Sequence, residues 1–372
     1  MNLKRNLRLS VLLLAVVGLA ACNNSYGVFS SIQEESKNTS TSTFYQTLVP
    51  DLVVYGSNYY ARLVGIYSRP TSSAAASGWE YLDESSFGSD YVCRGMAATS
   101  AGLYVAISNG RGSTSTPNGI FMYDGSSWSH VYKGTETIQA LYSTNNEIFA
   151  ATMDSTSDSV STYSLKHLNG STLEATGIAA VTAMPTNVVN FGGIYWCASG
   201  TSLYSGPATA MTATTKSYTI TRLSTDEFDG SPASMIFLGT STGYVYRSTD
   251  GIDWGTGKSA TYSSSYGVVS MAVIPGKNDP KLELIVGSNY VGYYEAEVTS
   301  SLSDFTAGDS SQVVSAKSNY DSSVGNMPVM SFVYIGSATS GTLFACASAT
   351  AVDYTGLWSS KRTTTWDGWA SE

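Results

Sequence analysis

A short apolar segment recurs seven times along this chain of 372 residues, and that repetition limits the fold more than any other feature. Each copy is two or three apolar residues, often with an aromatic, followed by small residues that usually end in Ser. The copies are Leu52–Ser57 (LVVYGS), Leu103–Ser108 (LYVAIS), Ile148–Met153 (IFAATM), Ile194–Ser199 (IYWCAS), Ile236–Ser241 (IFLGTS), Leu284–Ser288 (LIVGS) and Leu343–Ser348 (LFACAS). Their starts lie 51, 45, 46, 42, 48 and 59 residues apart. Near-continuous apolarity over five residues marks a strand buried on both faces. The closing Gly, Ala and Ser allow backbones to approach closely, as blades must where they crowd an axis.

A second element follows most copies. It opens on Gly and continues with aromatic or aliphatic residues, as in Gly65-Ile66-Tyr67, Gly119-Ile120-Phe121, Gly243-Tyr244-Val245, Gly292-Tyr293-Tyr294 and Gly356-Leu357-Trp358. A turn comes next, then a Trp or another hydrophobe. Two turns match closely, Asp124-Gly125-Ser126-Ser127-Trp128 and Asp250-Gly251-Ile252-Asp253-Trp254, and Asn169-Gly170 is a looser copy. Asp-Gly and Asn-Gly suit hairpins because Gly and Asn tolerate positive φ. Each unit therefore predicts a four-stranded antiparallel blade, and a period of roughly 40–50 residues with that content predicts a β-propeller. The reading is all-β, with seven four-stranded blades within residues 26–372. Eight blades, or a pair of two-sheet sandwiches, are the alternatives. Tyr26–Ser31 (YGVFSS) is expected to be an extra strand that closes the ring against the last blade, near Gly356–Trp369. Ser72–Ser77 and Asn109–Asn118 are expected to be rim loops.

Ser248-Thr249-Asp250-Gly251-Ile252-Asp253-Trp254 resembles the Asp-box of BNR-repeat propellers, one residue tighter than the usual spacing. Tyr123–Trp128 matches it in part. The resemblance implies structural roles: Ser248, Asp250 and Asp124 cap turns, Gly251 permits one, and Trp254 and Trp128 pack between strands.

The first residues carry a different signal. Lys4, Arg5 and Arg8 precede the apolar run Val11–Leu19, and Leu19-Ala20-Ala21-Cys22 follows. That run is too short to span a bilayer, which takes roughly 20 residues, and it fits the h-region of a signal peptide. The segment resembles the lipobox of bacterial lipoproteins. The resemblance implies a signal peptide over residues 1–21, cleavage before Cys22, and a diacylglycerol on the Cys22 sulfur with acylation of the new amine. Residues 22–25 would then be the tether. Several acyl chains, at about 0.8 kcal/mol per buried CH₂, anchor firmly. The implied location is the cell membrane or outer membrane, facing the periplasm or the exterior.

The formal net charge is −9, and without Lys4, Arg5 and Arg8 the remainder carries −12. An acidic chain with no basic cluster argues against nucleic acid as a partner. Cys93, Cys197 and Cys346 lie far apart in apolar segments and read as small buried hydrophobes. His130 and His167 are the two histidines, and no His/Cys cluster has metal-ligand spacing. No cofactor motif occurs. Gly239-Thr240-Ser241-Thr242-Gly243 matches a nucleophile elbow in letters, but a strand follows where that motif needs a helix. Sialidases also carry Asp-boxes, yet the one Arg-Pro pair, Arg69-Pro70, lacks the context that family shows near its first arginine. The expected function is therefore a non-catalytic, lipid-anchored protein-binding or assembly scaffold. A glycan-binding or sialidase-like surface protein is the alternative. A funnel lined by Ser, Thr and Ala would favour the scaffold, and an arginine cluster on one rim would favour the glycan site.

Replacing Cys22 by Ser removes the sulfur that would carry the glyceryl group. The expected outcome is loss of the protein from the detergent phase on partitioning. A Cys22→Ser form that still enters that phase would overturn the lipoprotein reading.

Overall fold

The computed structural model describes residues 43–44, 47–63, 65–73, 78–82, 85–87, 91–109, 118–157, 160–228, 231–261, 264–276, 281–289, 293–299, 302–307, 328–348, 355–364, 366–367 and 369–372. Cys22, Tyr26–Ser31 and most of the two expected rim loops lie outside them.

Seven four-stranded antiparallel sheets follow one another along the chain. Blade one is β1 (Asp51–Tyr55), β2 (Asn58–Arg62), β3 (Ile66–Pro70) and β4 (Glu80–Tyr81). Blade two is β5 (Tyr91–Ala98), β6 (Leu103–Asn109), β7 (Gly119–Tyr123) and β8 (Trp128–Tyr132). Blade three is β9 (Thr137–Thr144), β10 (Glu147–Ser157), β11 (Val160–Asn169) and β12 (Thr172–Ala175). Blade four is β13 (Val189–Phe191), β14 (Ile194–Ser199), β15 (Ser202–Gly206) and β16 (Thr212–Thr215). Blade five is β17 (Ile220–Thr225), β18 (Ile236–Thr240), β19 (Tyr244–Ser248) and β20 (Lys258–Ser259). Blade six is β21 (Val268–Pro275), β22 (Leu282–Ser288), β23 (Tyr293–Val298) and β24 (Thr306–Ala307). Blade seven is β25 (Val329–Gly336), β26 (Gly341–Ala347), β27 (Gly356–Arg362) and β28 (Ala370–Ser371). The chain is a seven-bladed β-propeller.

Six of the apolar copies are second strands, buried as expected between neighbouring sheets. The first copy is out of phase. Leu52–Tyr55 belongs to β1, and Gly56, at φ 58°, forms the hairpin that follows. The true second strand of blade one is β2, whose buried positions are Tyr59, Tyr60 and Ala61 rather than aliphatics. Asn58 to Leu103 is 45 residues, so the corrected interval matches the two that follow.

The first strand of each blade faces the axis. In β5, β9, β17, β21 and β25 the pairing with the next strand slips by one residue near the start. Such bulges re-aim the residues that follow. The residue just past each slip is Gly95, Ala140, Arg222, Ser270 and Ser331. Four of the five are small, because this slot lies against the next blade. A Cβ on Gly95 would sit 2.5 Å from the Leu141 amide nitrogen. In blade one the matching slot, opposite Arg62, is Asp51.

Side chains around this ring stitch most seams. The Met96 amide donates to Asp51 Oδ2 at 3.0 Å, joining blades one and two. The Tyr142 hydroxyl donates to the Pro185 carbonyl at 2.8 Å. Asn187 accepts from the Leu223 amide at 3.1 Å and donates to the Leu223 carbonyl at 2.8 Å. Arg222 Nε reaches the Val269 carbonyl at 2.6 Å, and Ser270 Oγ reaches the Val329 carbonyl at 2.8 Å.

The seam between blades seven and one closes the ring. Phe44, Leu52 and Tyr59 pack against Phe344, Cys346 and Leu357. The Tyr59 hydroxyl donates to Thr342 Oγ1 at 3.0 Å. Blade seven takes its four strands from its own segment. Tyr26–Ser31, the expected closing strand, lies outside the described residues; among the described residues the ring closes through side chains and one backbone bond. Glu372, fully buried, carries much of this closure. Its carboxylate meets Arg69 Nη1 at 3.1 Å and accepts from Trp79 Nε1 at 2.8 Å. Its carbonyl accepts from the Phe44 amide. The Arg69 guanidinium lies 5.3 Å from the Tyr59 ring centre and 5.2 Å from that of Trp79. Of the C-terminal tryptophans, Trp369 is buried between blades six and seven, and Trp366 Nε1 donates to the Pro275 carbonyl at 3.1 Å.

Removing one member of a buried ion pair typically costs about 3–5 kcal/mol, because the other charge is left uncompensated. Glu372→Gln should therefore lower the denaturant midpoint by that order. The Arg69→Met/Glu372→Leu double variant should recover most of the loss. A single variant as stable as the parent would show that the seam does not depend on this pair.

Candidate functional site

Two kinds of feature bear on function: the outer turns marked by the repeat, and a central channel that the repeat did not mark.

The turns join the third and fourth strands of their blades. Between β19 and β20, Asp250 Oδ1 accepts from the amides of Ile252 at 2.8 Å and Asp253 at 2.9 Å, and from Ser248 Oγ at 2.9 Å. Ser248 Oγ in turn accepts from the Gly251 amide at 2.9 Å. These donors, the two amides foremost, hold the Asp250 carboxyl below its ordinary range. Gly251, at φ 75°, has no room for a side chain, since a Cβ would meet the Trp196 ring at 2.5 Å. Trp254 is 6% exposed, donates its indole N–H to the Gly251 carbonyl at 3.1 Å, and packs edge-on against Trp196 of blade four.

Between β7 and β8, Asp124 Oδ1 accepts from the Ser127 amide at 2.9 Å, from Ser126 Oγ at 2.7 Å and from the Ser126 amide at 2.8 Å. Together they lower its pKa to about 2. Trp128 is half-buried against Phe87 and Tyr123. The Asn169-Gly170 turn, between β11 and β12, has no carboxylate cap; Thr172 Oγ1 donates to the Asn169 carbonyl at 2.9 Å instead.

Other polar residues singled out by type have structural surroundings. His130 stacks on Phe121 with ring centres 4.2 Å apart, and burial lowers its pKa. His167 Nε2 lies 2.7 Å from Glu147 Oε2. The thiols of Cys197 and Cys346 are pushed up by burial to about 12 and about 11. The described residues hold no group of three or more His, Cys, Asp or Glu placed to share a metal ion.

The channel runs along the axis. Its throat encloses about 240 Å³ and takes side chains from or beside the first strand of every blade. Polar groups there are Asp51, Tyr142, Asn187, Arg222, Ser270 and Ser331, set among Met96, Leu141, Met271 and Phe332. This lining differs from a plain Ser/Thr/Ala funnel, because Asp51 and Arg222 occupy slots that are small in other blades. Asp51 is bound by Arg62 Nε at 2.5 Å, and Arg62 also donates to the Cys93 carbonyl at 2.8 Å. Burial raises the Asp51 pKa, opposed by the Arg62 charge and, more weakly, by Arg222. Burial also raises the pKa of the Tyr142 phenol. The other described arginines are dispersed: Arg69 and Arg362 lie in the core of blades one and seven, while Arg94 bonds Ser108 and Arg247 bonds Met235.

The throat opens into a wider mouth of about 480 Å³ at the ends of β1, β17, β21 and β25. Met271 and Phe332 line both spaces, so the two adjoin. The mouth is mixed: Val54, Phe228, Tyr334 and Ile335 stand around it with Ser224, Thr225 and Glu227, its acid. Burial raises the Glu227 pKa. Phe228 reaches it on the loop after β17, which Asp226 folds back by accepting from the amides of Ser234 at 2.8 Å and Met235 at 2.7 Å. Phe228 then meets Tyr334 edge-on, with ring centres 5.7 Å apart.

No protein-family profile and no curated protein matches this sequence. In shape, the chain is similar to YCF48 in a structure described as bound to a D1 peptide, with a TM-score of 0.54, 14% identity, and coverage of 86% of this chain and 93% of that one. It is similar also to the β-propeller domain of Cps50 (Swd1) from Myceliophteria thermophila, with a TM-score of 0.50, 10% identity, and coverage of 83% and 96%. These likenesses establish the fold.

Loss of a buried aromatic typically costs about 3–5 kcal/mol. Trp254→Ala should destabilise by that order, because the indole fills the seam against Trp196. A thermal melt that barely moves would show that the turn does not hold blades four and five together.

Proposed function

We propose that this chain is a non-catalytic scaffold, tethered to a bacterial cell envelope through Cys22, whose channel mouth docks an apolar peptide segment of a partner protein. The mouth itself carries the reading. It is concave, about 480 Å³ in volume, and sets Val54, Phe228, Tyr334 and Ile335 among Ser224, Thr225 and Glu227. Concave sites that combine apolar walls with placed polar groups are where ligands bind. Val54, on its edge, is 37% exposed although apolar. Charge selects the partner further. The chain is acidic at −9, and Glu227 is the acid of the mouth, so a segment with a basic residue beside its apolar anchor fits best. The structure of YCF48 with a peptide supports peptide binding by a propeller of similar shape. The lipobox resemblance supports the tether, and a tether turns a binding module into an assembly point on a membrane surface.

The test is crosslinking and recovery from the native envelope, comparing the parent with three variants. A partner held at the mouth should be recovered with the parent and lost with Val54→Asp or Ile335→Glu. It should be kept by Ile252→Asp, which alters a side chain 83% exposed on the outer Asp250 turn. Equal recovery with all of them would place binding elsewhere.

A further inference from the structure

The throat is a second site, distinct from the mouth in its chemistry. We propose that it binds a small organic carboxylate, held by the terminal N–H groups of Arg222 in the space that the Ser331 hydroxyl also lines.

The argument begins with the repeat. The slot that Arg222 occupies is Gly95, Ala140, Ser270 and Ser331 in four other blades. A small residue suffices to pass the seam, and Ser270 already bonds across it through its hydroxyl at 2.8 Å. Arg222 does the equivalent with Nε alone, on the Val269 carbonyl. Its two terminal nitrogens have no hydrogen-bond partner among the described residues, and it closes no ion pair with Asp51. The seam bond needs only Nε, so the two terminal nitrogens are left to face the throat.

The charge balance of the throat points the same way. Asp51 is neutralised by Arg62, at 2.5 Å. Arg222 is the remaining charge, so the throat is locally cationic inside a chain of net −9. Arginine binds carboxylates through paired N–H bonds in one plane. The Ser331 hydroxyl lines the same space and has no bond of its own among the described residues. Size and charge complete the assignment. At about 240 Å³ the throat falls below the roughly 300–1,000 Å³ of sites for drug-sized ligands. One free cation among the described residues balances one carboxylate, whereas phosphate would bring further negative charge beside Asp51.

The experiment is calorimetric titration of the full-length chain in detergent at fixed ionic strength. The probes are benzoate and butyrate, with benzylamine and inorganic phosphate as controls. Benzoate should bind saturably, and benzylamine and phosphate should not. Arg222→Met should weaken benzoate by at least about ten-fold, the loss expected for a charge-assisted pair of hydrogen bonds. That variant also loses the bond to Val269 and can weaken the seam. Ser331→Ala is therefore the companion: it keeps the slot small, leaves Arg222 on its carbonyl, removes the hydroxyl that lines the throat, and should weaken benzoate severalfold while melting like the parent. Absence of saturable benzoate binding to the parent would overturn the proposal. So would undiminished binding to Ser331→Ala, or phosphate binding as tight as benzoate. Binding at the mouth is read separately, because the Ser331 variant should still recover the partner in the envelope crosslinking.

Discussion

A ring of this kind stands or falls on its seams. Each blade is an ordinary four-stranded antiparallel sheet, and such a sheet has two faces to bury and two edges to manage. Apolar clusters fill the seams between neighbouring sheets, but apolar packing alone does not fix how one blade is turned against the next. The ring of hydrogen bonds around the axis does that. Met96 on Asp51, Asn187 on Leu223, Arg222 on Val269 and Ser270 on Val329 each tie a first strand to its neighbour. Each such bond contributes about 1 kcal/mol. Their larger effect is geometric, since a bond across each seam fixes the registry of strands that share no ladder. Where blades two and three meet, Gly95 substitutes close backbone approach for a side-chain bond.

The last seam differs because its two sides come from opposite ends of the fold. It needs more than one side-chain bond, and the chain supplies a buried ion pair flanked by rings. Arg69 and Glu372 would be expensive to bury separately. Together, with Trp79 on the carboxylate and aromatic faces on the guanidinium, they are satisfied only when the ring is shut. Specificity of closure is the attested use of such buried pairs, more than stability as such.

Much of this was legible in the sequence, for a physical reason. Second strands are buried on both faces, so they are spelled in uninterrupted apolar letters, and six of seven copies were placed correctly. The exception is instructive. In β2 the buried positions are Tyr59 and Tyr60, whose hydroxyls need partners, and Tyr59 finds one on Thr342 across the closing seam. An aliphatic pattern cannot see a tyrosine chosen for its hydroxyl, so it marks Leu52–Ser57 instead. The outer turns were legible because Asp124 and Asp250 act on amides two and three residues ahead, within the reach of a local motif. The channel was not. Asp51 and Arg222 lie far apart in sequence, and each is an unremarked polar letter in a strand until the blades are superposed. Once β2 is set in phase, the signal is present in the letters: one slot reads Gly, Ala, Ser and Ser, but Asp in blade one and Arg in blade five.

That substitution shows how a repeated fold acquires a site. The slot faces both the seam and the axis, so any residue there must first satisfy the neighbouring blade. Ser270 does so with its hydroxyl hydrogen and has no further donor to offer. Arginine is long enough to make the same bond through Nε and still carry its two outer nitrogens into the channel. Lysine could not divide itself in this way, since its donors sit on a single atom. Aspartate in blade one solves the converse problem. It accepts the Met96 amide for the seam, and burial would push it towards the neutral form, so Arg62 beside it on β2 sustains the charge. The two charged slots are therefore unequal. One is internally balanced and belongs to the scaffold, while the other keeps its seam bond and leaves a cation facing the space that the ring encloses.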